Sequence, residues 1–198
     1  MYPPPSTLWT FLLRRLLQIS IVLTFLVITA GSIVRMTGSG MGCPDWPKCF
    51  GLVIPPTQIS QVTWNSNKFF NKGQMIIYGN KLLVAKESFL TDNNFVSSRW
   101  KNYDRHDYSI FNPIHTWIEY INRLIGALLG VPILLSSIFI FFRFRSHPRW
   151  SLTIIAVLLM LCLEAWLGKV VVDGNLIPHQ ITIHLVGAFI ILGLLALL

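Results

Sequence analysis

Residues 16–34 read LLQISIVLTFLVITAGSIV, an apolar run without a charged side chain. At 1.5 Å rise per residue, a helix of about 20 residues crosses the hydrocarbon core of a bilayer. Immediately outside this run lies TGSGMGCPDWPKCFG, residues 37–51, which places two cysteines and a Gly/Pro-broken turn at the membrane edge. Three further apolar windows follow at 115–142, 152–172 and 179–198. The chain is 53% apolar and 12% charged, with a mean hydropathy of +0.58, far from the balance of a soluble domain. The expected fold is an all-α membrane protein: an antiparallel four-helix transmembrane bundle with an extracytoplasmic loop domain.

Short basic flanks set the orientation, because Lys and Arg near helix ends stay on the cytoplasmic side. Arg14 and Arg15 precede the first run, and Arg143, Arg145 and Arg149 lie between the second and third. Both termini are therefore expected in the cytoplasm of a bacterial cell, in a multi-pass inner-membrane protein. The resulting plan is residues 1–34 as N-terminus and first span, 35–114 as an outer cap, 115–142 as the second span and 143–151 as a cytoplasmic turn. The third span is 152–172, the outer turn 173–178, and the fourth span 179–198, which stops inside its apolar run. The first run exceeds a signal-peptide core and no A-x-A-like site follows, so it is read as retained. The formal charge of +8 is spread along the outer loop and the membrane edges, with no compact basic helix, which argues against nucleic acid as a partner.

Cys43 and Cys49 fall in the outer segment, where a disulfide is expected in an oxidising compartment. Zinc is the competing reading, but one Cys pair without a nearby His or further Cys supplies too few ligands. Cys162, inside the third span, is read as a small packing residue. In the outer loop, QMIIY and KLLVAK flank a Tyr-Gly-Asn turn and predict a small β-hairpin. Trp100, Tyr103, Tyr108 and Trp117 are read as interfacial anchors where the chain re-enters the bilayer.

Ionisable groups inside a bilayer are costly, so each is a functional hypothesis. His115, Glu119 and Asn122 share one face of the second span at i, i+4 and i+7. Glu119 and His184 each lie about six residues, or roughly 9 Å, inside the points where their spans enter from outside. They are expected to face one another across the bundle. His179 sits at the mouth of the fourth span as an interfacial residue. Gly126, Ala127 and Gly130 follow Asn122, and Gly187 and Ala188 follow His184; such small residues serve close helix packing or room for a flat cofactor. An intramembrane His in a four-helix bundle is a common way of holding a haem iron, against the plainer reading of a satisfied core histidine. Glu119 has a plainer reading too, as an i, i+4 partner of Arg123. Glu164 and Lys169 of the third span are five residues apart, off a common face, and neither is assigned to catalysis.

Three stretches carry a family resemblance: GSIVRMTGSGMGCPDWPKCFG at 31–51, EYINRLIG at 119–126 and WLGKVVVDGNL at 166–176. Together they resemble the haem A synthase family, the CtaA-type membrane enzymes of cytochrome oxidase biogenesis, and specifically the amino-terminal four-helix half. The resemblance implies oxidation of the C8 methyl of haem O to the formyl group of haem A, with water as the oxygen source. It also implies a two-half architecture in which a haem b in the other half carries electrons. By the same resemblance Glu119 matches the catalytic glutamate, His184 the fourth-helix haem ligand, and Cys43 and Cys49 the outer cysteine pair.

The second-helix motif of that family reads Glu-x-x-His-Arg, whereas this chain has Asn122 before Arg123. An Asn amide is a poor iron ligand, so two arrangements stay open within the haem-binding set of His184, His115, Asn122 and Arg123: His115 as second axial donor beside His184, or His184 alone on the iron with an open or water-filled sixth position. The implied partners are haem O, membrane lipid, haem O synthase, and either a C-terminal half or further copies of the chain. Two other readings stand beside the enzyme: a non-enzymatic haem-binding or oxidase-assembly subunit, and a small cytochrome b-like carrier.

Overall fold

Proline opens three of the four long helices, at the first helical position where its missing N–H costs nothing. In the computed structural model, which describes residues 7–106, 109–143 and 148–198, helix α1 spans Thr7–Met36, α2 Pro113–Arg143, α3 Pro148–Asp173 and α4 Pro178–Ala196. All four are long and apolar enough to cross a membrane. The α3–α4 connection is short, as antiparallel neighbours require. Each helix overlaps one of the apolar windows, because hydropathy marks what must lie in lipid while the helix itself runs on until a breaker stops it.

The chain divides into two units. The first comprises residues 1–32, 122–168 and 178–198. Its core is a seam of residues at helical spacing: Leu13 and Leu17 of α1, Leu129, Ile133 and Ile140 of α2, Ile154 and Val157 of α3, and Ile191 and Leu195 of α4. Outward positions such as Phe25 and Leu128 are apolar and exposed, as the lipid-facing side of a membrane helix must be. On the buried side of α1 two polar groups are satisfied within their own helix: Ser20 Oγ donates to the Leu16 carbonyl at 2.9 Å and Thr24 Oγ1 to the Ser20 carbonyl at 2.7 Å. Cys162 does not pack in this core; it is exposed on α3, because the buried side of that helix is the one carrying Ile154, Val157 and Glu164.

The second unit comprises residues 33–121 and 169–177, and its described residues hold five short strands: β1 Phe69–Phe70, β2 Met75–Tyr78, β3 Lys81–Ala85, β4 Phe89–Leu90 and β5 Trp100–Asn102. Strands β2, β3 and β5 form one antiparallel sheet in that order, and β1 pairs with β4 in another. The expected hairpin is β2–β3, closed by the pair Tyr78–Lys81. Its two central residues, Gly79 and Asn80, have φ of 56° and 58°, the left-handed pair that a two-residue hairpin turn demands and that Gly and Asn tolerate.

Strand β5 corrects one expectation. Trp100 is only 4% exposed and packs edge-on against Phe70 and Phe89 at 5.2 and 5.3 Å. It is the centre of the cap's second apolar cluster rather than an interfacial anchor, since its pairing opposite Ala85 turns it onto the sheet's covered face. Tyr103 likewise joins the first cluster, around Cys43, Cys49, Phe50, Val62 and Met75. Tyr108 lies outside the described residues, as does Arg145.

Candidate functional site

In the second unit the disulfide loop is seated on the first turns of α2. Cys43 and Cys49 are bonded to each other and are 0% and 1% exposed. The Cys43 N–H donates to Glu119 Oε2 at 2.8 Å, and Thr116 Oγ1, one turn earlier on α2, donates to the Gly42 carbonyl at 2.8 Å. Gly42 allows this approach: a Cβ there would lie 2.5 Å from the backbone carbonyl of His115. Two residues on, the Pro44 carbonyl accepts from Tyr103 Oη at 2.8 Å and faces His106 Nε2 at 2.9 Å. Asp45 Oδ2 accepts the Gly51 N–H at 2.9 Å. Backbone groups of three consecutive residues, 42 to 44, are thus tied down, and the carboxylate of Glu119, itself 3% exposed, is one of the ties.

Burial pushes the Tyr103 phenol up to about 12, with the Arg105 guanidinium working the other way. Arg105 is bound to Asp173 through two 3.0 Å contacts, and that hydrogen bond raises its pKa. His115 is half-buried, and its backbone N–H faces Asn112 Oδ1 at 3.4 Å.

In the first unit His184 of α4 meets a residue that pattern reading set aside. His184 Nδ1 stands 2.7 Å from Glu164 Oε2 of α3, although the pair is not aligned as a hydrogen bond. Glu164 is 8% exposed. The signal for it lay in the cost of any carboxylate inside a span, but periodicity within α3 says nothing about which neighbouring helix it meets. Asn122 Oδ1 is buried with no hydrogen-bond partner, 3.9 Å from where a side chain on Gly31 would begin. His179 is exposed, as expected of a residue at the mouth of α4. Glu119 and His184 belong to different units, and each is described by its own partners.

A haem bound in the first unit would take one imidazole, that of His184. With Nδ1 turned to a carboxylate, Nε2 of His184 remains for a metal, the arrangement in which a second group orients a metal-binding histidine. No cluster of three or more His, Cys, Asp or Glu suited to a bare metal ion occurs among the described residues; a haem needs only axial donors from the protein. Asn122 presents a carboxamide, so the α2 position supplies no second imidazole.

A family profile described as cytochrome oxidase assembly protein (COX15-CtaA) matches residues 14–92 and 75–198. Among curated proteins, the chain is 30% identical over 183 residues to the "Heme A synthase" of Shewanella oneidensis, covering 92% of this chain and 43% of that protein. It is 26% identical over 193 residues to the "Heme A synthase" of Rickettsia bellii, covering 92% and 48%, and 31% identical over 163 residues to that of Orientia tsutsugamushi, covering 81% and 37%. The chain therefore spans less than half the length of each of these relatives. No solved structure matches it. A multi-pass inner-membrane protein with four apolar spans, the chain belongs to the COX15-CtaA family of cytochrome oxidase assembly proteins.

Proposed function

We propose that this chain is the substrate-side, amino-terminal half of a haem A synthase, with both termini in the cytoplasm. The single observation that carries the reading is the Cys43 N–H to Glu119 Oε2 bond at 2.8 Å, in a chain whose relatives bear the name "Heme A synthase". A carboxylate inside a membrane span is costly to keep, and here it is bound to the backbone of the buried disulfide loop.

The substrate is haem O, and the reaction converts its C8 methyl to a formyl group with water as the oxygen donor: CH3 + H2O gives CHO with release of four protons and four electrons. Glu119 is the proposed group that accepts protons, oriented by the Cys43 amide. His184 is the proposed iron ligand, and roles toward haem are proposed for His115, Asn122 and Arg123. A haem b in a C-terminal half working with this one would take up the electrons, and haem O synthase is the proposed neighbour that supplies substrate.

Glu119→Gln keeps an acceptor for the Cys43 N–H but removes the base. Assayed with the complementary half and haem O, it is expected to retain haem and to form haem A at least 100-fold more slowly, the usual scale for a lost general base. Haem A formation at the wild-type rate removes Glu119 from catalysis.

A second reading, a non-enzymatic haem-binding or oxidase-assembly subunit, is favoured by Asn122, whose unpartnered amide oxygen stands where the resembled motif has an imidazole. It predicts that the chain with its complementary half binds haem O and releases it unchanged; any haem A in the product pool excludes it.

A further inference from the structure

Glu164 and His184 form a matched arrangement across α3 and α4 within the first unit. Each polar residue sits on the other helix's glycine. The His184 ring lies over Gly168, one turn after Glu164, with Nε2 and Cε1 at 3.8 and 3.7 Å from the position a Gly168 Cβ would take. The Glu164 carboxylate fills the space beside Gly187, three residues after His184, where a Cβ would overlap Oε1 outright. Glu164 Oε2 then reaches 2.7 Å from His184 Nδ1.

The carboxylate has little else to do there. Its Oε1 is buried with no hydrogen-bond partner, and a carboxylate withdrawn from water is destabilising unless another role retains it. Close helix packing alone is served by Gly168 and Gly187 without any acid between them. The approach of the carboxylate to His184 is nevertheless made at Nδ1.

We propose that Glu164 is a positioning residue for His184: its carboxylate, 2.7 Å from Nδ1, together with the Gly168 surface under the ring, fixes the ring's rotation and thereby leaves Nε2 as the iron-binding nitrogen. This rests on the proposed role of His184 as a haem ligand. Removing such a supporting group typically lowers metal affinity 10- to 100-fold without removing the ligand itself.

The test is a titration of the purified full chain in detergent with ferric haem b, read by visible absorption, followed by a redox titration of the bound haem. His184→Ala is expected to abolish the axial-ligand spectrum; an unchanged spectrum in that variant, or no haem uptake by the wild type, overturns the ligand role of His184 itself. Given a normal wild type and a silent His184→Ala, Glu164→Ala is expected to bind roughly 10- to 100-fold more weakly and to shift the midpoint potential upward, because a negative charge beside the ligand is gone. Glu164→Gln, which keeps an acceptor, is expected to recover most of the affinity while keeping the shifted potential. Gly187→Ala, which displaces the carboxylate without altering it, is expected to reproduce the affinity loss of Glu164→Ala. Wild-type affinity and potential in both Glu164→Ala and Gly187→Ala leave His184 as the ligand and refute the positioning role. Circular dichroism of the haem-free variants separates these results from a failure to fold.

Discussion

At the scale of single residues, the cap is held by hydrogen bonds that composition does not reveal. Tyr103 shows how one of them becomes measurable. Its phenol donates to the Pro44 carbonyl, and burial raises its pKa from 10.0 to about 12. A folded-state value above the unfolded one means that the protonated form is favoured by folding. The contribution is therefore complete below about pH 10 and is lost as pH rises through about 12. An absorbance titration of tyrosinate is expected to show a late step at about pH 12 that is absent in Tyr103→Phe, with stability of the second unit falling over the same interval. A wild-type titration without a late step that Tyr103→Phe removes contradicts the buried contact. Glu119 was legible from its place inside a span. Its partner, the Cys43 amide 76 residues away in sequence, was not, because a backbone donor leaves no mark in residue type. Glu164 was underread for a related reason: its meaning comes from His184 on another helix, and neither residue's own periodicity names the other.

At the scale of elements, patterns that repeat locally were readable and single-residue placements were not. The β2–β3 hairpin follows from alternation on both sides of a Gly-Asn turn, and the four helices from apolar length. Strand β5 has only three residues, too few for alternation to show, so Trp100 looked like a membrane-edge aromatic. The fold instead spends it as a core residue between Phe70, Phe89 and Phe95. Trp100→Ala is expected to destabilise the cap by about 3–5 kcal/mol, the cost of emptying a large aromatic from a core. Chemical denaturation followed by near-ultraviolet circular dichroism checks this; a loss under about 1 kcal/mol, the range of exposed-site substitutions, returns Trp100 to the interfacial role.

At the scale of the whole molecule, the two units are stabilised by different physics: the first by an apolar seam among membrane helices, the second by two small clusters and a disulfide. Reducing Cys43–Cys49 releases a short loop constraint worth about 2 kcal/mol on chain-entropy grounds. Hydrogen exchange is expected to accelerate at Cys43, Cys49 and Gly51 in the reduced protein while amides near Ile133 and Ile154 stay protected. Equal protection before and after reduction means that the hydrogen bonds from Glu119, Thr116 and Asp45 suffice to hold the loop. By itself the sequence determined the membrane class, the four spans and the hairpin, because hydropathy, alternation and turn residues are local properties with local causes. Only the tertiary structure decided which groups those residues meet: Glu119 with the Cys43 amide, His184 with Glu164 over paired glycines, and Trp100 inside the cap. Such contacts join atoms far apart along the chain, and their energies depend on a burial and orientation that no stretch of sequence contains.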